Sequence, residues 1–161
     1  MNFWLKEKKK KMKLPTLKIK KLVDYAVMPK QMTKGSVGLD LAISEGSTFY
    51  PHEVIQVFTG LAMAIPKGYH GEIHIRSSWG KRGIRLANCT GIIDSDYRGE
   101  LVLLVINDTG NVYHAPKGER LAQLVLVKDP SFKIEEVTEL GRTERGVGGF
   151  GSTSKENKGD K

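Results

Sequence analysis

Gly91-Ile92-Ile93-Asp94-Ser95-Asp96-Tyr97-Arg98-Gly99-Glu100 runs directly into Leu101-Val102-Leu103-Leu104-Val105-Ile106. Ile92 and Ile93 suit a strand, and the continuous apolar run from Leu101 to Ile106 has the length of one buried strand. A glycine at each end of the acidic segment permits a sharp turn, or close approach of a ligand to the main chain. The stretch therefore reads as a β-hairpin with acids at its tip. An acid placed there can be held rigidly and still face a pocket, although on composition alone the segment reads equally as an ordinary exposed turn.

The rest of the chain follows the same rhythm. Leu17–Val23 begins by alternating apolar residues with lysine, and Gly35–Ala42 is a glycine-marked loop in which Leu39 and Leu41 face away from Asp40. His52–Ile65 is β-branched and apolar but broken by Gly60, so it reads as two strands or one bent strand. Glu72–Arg76 alternates, with Ile73 and Ile75 on the inner face. Ser77–Arg85 reads as a short helix or a loop, Leu121–Val127 as a strand with Gln123 its polar exception, and Phe132–Val137 as a further alternating segment. Gly46-Ser47, Pro66-Lys67-Gly68, Asn107–Asn111 and Pro116-Lys117-Gly118 are turns. Short strands with regular turns predict an all-β chain, a jelly-roll-like barrel. Three regions are expected: a basic tail over 1–16, the β domain over 17–141 and a glycine-rich arm over 142–161.

Charge separates the same regions. The formal net charge is +8 over 161 residues, yet residues 1–22 hold nine lysines against Glu7 alone. That leaves 17 basic and 17 acidic groups elsewhere. The folded part is thus not a basic protein, and nucleic acid or an import factor can be expected only at the lysine run. No apolar run reaches a membrane span, and the N-terminus lacks the apolar core of a secretory signal. The single cysteine, Cys89, permits no internal disulfide and fits a reducing compartment. A cytoplasmic protein is expected, with the nucleus left open by the lysines. Cys89 itself is expected to be a buried small apolar residue.

Several stretches have phosphate-binding chemistry. Arg145–Ser154 (RGVGGFGSTS) offers converging backbone N–H groups, a guanidinium, two hydroxyls and the ring face of Phe150. Its glycine spacing approaches that of a P-loop, but Ser152 stands where that loop needs lysine. Arg76-Ser77-Ser78 adds a cation and two hydroxyls. His70 and His74 do not fit the zinc-protease pattern and are read as structural. One acid, many phosphate donors and an aromatic suit metal-assisted attack of water on a phosphate ester.

Five segments in order, SVGLDL at 36–41, RSSWGKRG at 76–83, NCTGIIDSDYRGEL at 88–101, GERLAQL at 118–124 and RGVGGFGSTS at 145–154, resemble the trimeric dUTPase family, the deoxyuridine triphosphate nucleotidohydrolases. The resemblance spans about residues 17–154 and implies a jelly-roll homotrimer with active sites at subunit contacts, closed by a flexible C-terminal arm. It implies dUTP as substrate and dUMP and pyrophosphate as products, which keeps uracil out of DNA. Asp94 matches the acid that activates water, and Tyr97 the ring beneath the deoxyribose. Asn88 with Gly91, Ile92 and Ile93 matches the uracil-binding segment. Arg76, Ser77, Ser78 and Gln123 match phosphate contacts. Asp40 matches the acid that holds a Mg2+-bound water. Arg145, Gly151, Ser152 and Thr153 match the γ-phosphate grip, and Phe150 the lid over uracil. Leu39, Ser78, Ser154 and the lysine-rich start depart from the usual pattern without touching that chemistry. A related deaminase of dCTP would need a glutamate where Leu104 stands. A nucleotide sensor without turnover is disfavoured by Asp94 and the complete fifth segment.

Overall fold

The computed structural model describes residues 14–130 and 132–150. Ten strands and one helical turn follow in order: β1 Lys18–Lys21, β2 Leu39–Ala42, β3 Ser47–Phe49, β4 Val54–Ala64, β5 Tyr69–Ile75, α1 Ser77–Gly80, β6 Ile84–Leu86, β7 Gly91–Ile93, β8 Glu100–Asn107, β9 Tyr113–Ala115 and β10 Arg120–Lys128. The all-β expectation holds. The strands form three separately hydrogen-bonded antiparallel sheets, ordered β1-β4-β8-β6, β2-β10-β5-β7 and β3-β9. Hydrogen bonding among the described strands does not close them into one barrel.

The core lies where the inner faces of the two larger sheets meet. Leu41, Leu61, Ile73, Leu101, Leu103, Val105, Leu121 and Leu124 are each at most 2% exposed there. Burial of a Leu or Ile side chain is worth about 1.5–3 kcal/mol, so this cluster holds the sheets together. Trp79 closes one end, edge-on to Phe49 at 5.6 Å, with its indole N–H donating to Glu119 Oε1 at 3.1 Å.

Four local expectations change. β7 pairs with β5, while β8 pairs with β4 and β6, so the acidic segment is a connection between two sheets and not the tip of a hairpin. In β8 only alternate residues are buried. Val102, Leu104 and Ile106 face outward and Leu104 is exposed, so the run is apolar on both faces but covered on one. No strand forms over 132–137, where Phe132 and Ile134 are 77% and 92% exposed. Cys89 is exposed, at φ +61° in the turn between β6 and β7.

The chain separates into one compact unit up to Pro130 and a second beyond it. Within the second, Arg145 Nε donates to Gly148 O at 2.9 Å and Gly146 N–H donates to Thr143 O at 3.1 Å. No helix among the described residues is long and apolar enough to cross a membrane.

Candidate active site

The sheet β2-β10-β5-β7 orders most of the expected site residues. Its register sets Asp40 opposite Gln123 and Gln123 opposite His74, and these alternate with the core-facing residues. Just past the end of β5, Arg76 turns back to the same face. Its Nε lies 3.1 Å from Asp40 Oδ2 and its Nη1 donates to Arg120 O at 2.9 Å. The remaining guanidinium N–H groups stay available to an anion. Ser77 and Ser78 are exposed in the first turn of α1, which Trp79 anchors in the core. Gln123 lies over Gly38, where any side chain would collide with its amide oxygen.

Asp40 is 8% exposed, and Oδ2 lacks an aligned hydrogen-bond donor despite its charged neighbour. A buried carboxylate oxygen in that condition calls for a water or a hydrated cation. Among the described residues no three of His, Cys, Asp and Glu stand together as direct ligands. An ion held through water at Asp40 therefore fits this chain better than one bound directly by its side chains.

The second group lies at the far end of the sheet. Asn88, Gly91, Ile92 and Ile93 line a cavity of about 170 Å³, with Ile73 and Leu104 among its apolar walls. Drug-sized ligands take about 300–1,000 Å³, so this one suits a single ring. A Cβ at Gly91 would sit in ordinary contact, 3.4 Å from Ile73 Cβ and 3.7 Å from Asn88 Nδ2. Leu104 puts an aliphatic wall where the dCTP deaminase reading needs a glutamate.

Beyond β7 the chain makes a tight turn. Tyr97 N–H donates to Asp94 O at 3.2 Å, and Arg98 Nη1 donates to Ser95 O and Tyr97 O at 2.8 and 2.7 Å. The Tyr97 ring lies across Gly99, with its hydroxyl donating to Glu100 O at 3.0 Å. Asp94 is exposed and shares a cavity of about 530 Å³ with Ser95, Asp96, His70 and Asp129.

His70 and Asp129 were not among the expected site residues. His70 Nδ1 is 2.6 Å from Asp129 Oδ1, and Glu72 bridges His70 at 3.4 Å and His74 at 3.0 Å. The Asp129 hydrogen bond raises the His70 pKa, with Glu72 adding to it against burial. Hydrogen bonds from His74 and then His70 lower that of Glu72. The period-two spacing of His70, Glu72 and His74 signals a shared face, whereas the partnership with Asp129 has no local signal.

One distance governs how these groups combine. Ile93 pairs with Gly71, so Asp94 comes about level with His70, while Arg76 lies six residues away along β5. At about 3.3 Å per residue their backbones are roughly 20 Å apart along one chain. Arg145 and Phe150 belong to the second unit, with Phe150 fully exposed at φ +45°. Gly151, Ser152 and Thr153 lie outside the described residues.

The dUTPase family model matches residues 24–154. The chain belongs to the dUTPase family. A deoxyuridine 5'-triphosphate nucleotidohydrolase from Nautilia profundicola is 46% identical over 140 residues, covering 86% of this chain and 99% of the relative. A Staphylococcus bacteriophage 80alpha dUTPase, solved with dUPNHPP, superposes with a TM-score of 0.79 at 31% identity, over 85% of this chain and 97% of the other. A dUTPase from phage phi11 of S. aureus, whose structure concerns the coordination of a structural Mg(II) ion, gives a TM-score of 0.71 at 26% identity, over 77% and 97%.

Proposed function

We propose that the protein hydrolyses dUTP to dUMP and pyrophosphate, as a homotrimer of jelly-roll-like subunits. Asp94 accepts a proton from a water whose oxygen attacks the α-phosphorus. The bond from that phosphorus to the bridging oxygen breaks, and pyrophosphate leaves. Asn88 and the backbone of Gly91–Asp94 hold uracil in the small cavity, and the Tyr97 ring supports the deoxyribose. Arg76, Ser77, Ser78 and Gln123 donate to phosphate oxygens. Arg145 and Gly151–Thr153 bind the γ-phosphate and Phe150 covers the base, as parts of an arm over residues 142–161. Magnesium, when bound with the triphosphate, supplies neutralisation of phosphate charge, and Asp40 would hold it through water.

The observation that supports a shared site is the span of roughly 20 Å between Asp94 and Arg76. A base must come within about 3 Å of the proton it takes, and phosphate donors must touch the same nucleotide. One chain does not bring the two ends of its sheet together, whereas a symmetric assembly can set one subunit's Arg76 beside its neighbour's Asp94.

The test is pyrophosphate release with magnesium from dUTP, dCTP, dTTP and UTP. Release from dUTP alone is expected. No release from any of the four while dUTP still binds would overturn the hydrolase reading in favour of a nucleotide sensor.

A further inference from the structure

Residues 94–99 cross from one large sheet to the other, and both ends of the crossing are anchored. At one end Ile93 pairs with Gly71 of β5. At the other, Glu100 begins β8, and its Oε1 accepts the N–H of Gly60 in β4 at 2.6 Å. Between those anchors, among the described residues, the crossing makes one backbone–backbone hydrogen bond, from Tyr97 N–H to Asp94 O at 3.2 Å. The Tyr97 hydroxyl adds a bond to Glu100 O at 3.0 Å, with its ring across Gly99, where any side chain would collide with it. The acid proposed to take the proton and the ring proposed to support the sugar thus share a segment that its own backbone holds at one point.

Arg98 supplies further support. Its Nη1 donates to Ser95 O at 2.8 Å and to Tyr97 O at 2.7 Å. Those carbonyls flank Asp96 in sequence, so one nitrogen bridges the turn. Hydrogen bonds from an ionised donor are roughly twice as strong as neutral ones. The guanidinium makes them although two acids stand close by in sequence: among the described residues neither Asp94 nor Asp96 forms a salt bridge with it. The clamp therefore holds main chain and leaves the Asp94 carboxylate free for a water. Arg98 also lines a cavity of about 330 Å³ with Lys18 and Lys20 of β1, and repulsion between like charges there favours a guanidinium turned toward the carbonyls. An exposed arginine paired with an acid would contribute little. This one is bonded instead to the segment that carries Asp94 and Tyr97.

We infer that Arg98 is a positioning residue for both Asp94 and Tyr97, acting through the main chain of the turn that joins them. What those two residues do rests on the hydrolase reading above; how they are held does not. Without the two Nη1 bonds, the crossing keeps only the Asp94–Tyr97 backbone bond and the tyrosine hydroxyl. The carboxylate and the ring then shift together, and a misplacement of about 1 Å is enough to cost about 10²-fold in rate. Sugar discrimination falls with it, because the ring supports the deoxyribose only from a fixed place. Both bonds come from a single nitrogen. A lysine ammonium, with three donors, can make them, whereas methionine keeps an unbranched stem and donates nothing.

The test compares the full chain with its Arg98→Met and Arg98→Lys variants in three measurements: pyrophosphate release from dUTP and UTP with magnesium, calorimetric binding of the same two nucleotides, and Tm. Arg98→Met should keep the parent's cooperative thermal transition and lose about 10–10²-fold in kcat for dUTP. Its preference for dUTP over UTP should fall at least about tenfold. Arg98→Lys should recover most of both. A methionine variant with the parent's rate and preference would overturn the inference. So would equal losses in the two variants, or a lowered Tm with the preference intact, which would make Arg98 a stabilising residue only. If the parent itself releases no pyrophosphate, the hydrolase reading fails, and the ratio of dUTP to UTP binding constants still reads the turn. A ratio lowered by Arg98→Met and restored by Arg98→Lys would then uphold the positioning role, and an unchanged ratio would overturn it.

Discussion

Asp94 stands on a turn held at several points: its own carbonyl accepts from Tyr97, and Arg98 clasps the carbonyls of Ser95 and Tyr97. Asp94→Asn preserves that turn and removes the ability to take a proton. Its kcat should fall about 10²–10⁴-fold with dUTP affinity retained, and near-normal turnover would take Asp94 out of the base role. His70 permits a prediction of another kind. Its raised pKa gives a contribution to stability that is complete below its ordinary value of 6.5 and lost as pH rises through the raised value. The lowered pKa of Glu72 gives one that is present above 4.5 and lost as pH falls through the lowered value. Both act together between those values, so the Tm deficit of His70→Gln should be larger at about pH 5.5 than at about pH 8.5. Equal deficits would show that the ring matters only as packing. Residue by residue, legibility follows locality. Asp94 and Tyr97 stand out because glycines and acids surround them in sequence. The Asp129 partner of His70 and the Arg76 partner of Asp40 do not, because those pairs form only when β10 and β2 come alongside β5.

Strands were read most surely where burial alternates on a fixed period. β5, β8 and β10 fall where their patterns put them, and α1 is the short helix that Ser77–Arg85 allowed. The bend in His52–Ile65 is one strand with an irregularity in its register between Phe58 and Ala62. Gly60 makes it: φ is +67°, its N–H donates to Glu100 Oε1 at 2.6 Å and its carbonyl accepts from Leu22 at 2.8 Å. A Cβ there would meet Val23 Cγ2 at 2.7 Å and Ala26 Cβ at 2.9 Å. Gly60→Ala should therefore lower stability by about 1–3 kcal/mol through backbone strain and crowding, measured as urea or thermal unfolding against the parent. An unchanged midpoint would mean that the bulge relaxes freely. The same periodic argument misleads at Phe132–Val137. Alternation creates a candidate strand, but a strand also needs a partner, and residues 132–137 pair with no strand among the described residues. It misleads in β8 in the opposite sense, since an apolar outer face left open among the described residues looks the same in sequence as a buried one.

For the whole molecule, the five segments were legible as a set, but their separation was not. Sequence order says nothing of the fact that β7 pairs with the far end of β5 from Arg76, and this pairing leaves the proposed base and the proposed phosphate donors at opposite ends of one sheet. The span of roughly 20 Å makes a prediction that depends on no single side chain's contribution. Asp94→Asn and Arg76→Ala chains should each be nearly inactive alone. If every site takes Asp94 from one subunit and Arg76 from its neighbour, unfolding and refolding an equal mixture will create sites in which both residues are intact. Random assembly gives each of the two positions an even chance of the undamaged residue, so the mixture should recover roughly a quarter of the parent rate per site. If a single chain completed its own site, every site in the mixture would lack one residue or the other, and the rate would stay at the sum of the two damaged enzymes. Separately refolded chains, mixed afterwards without exchange, provide the control that distinguishes subunit pairing from simple addition.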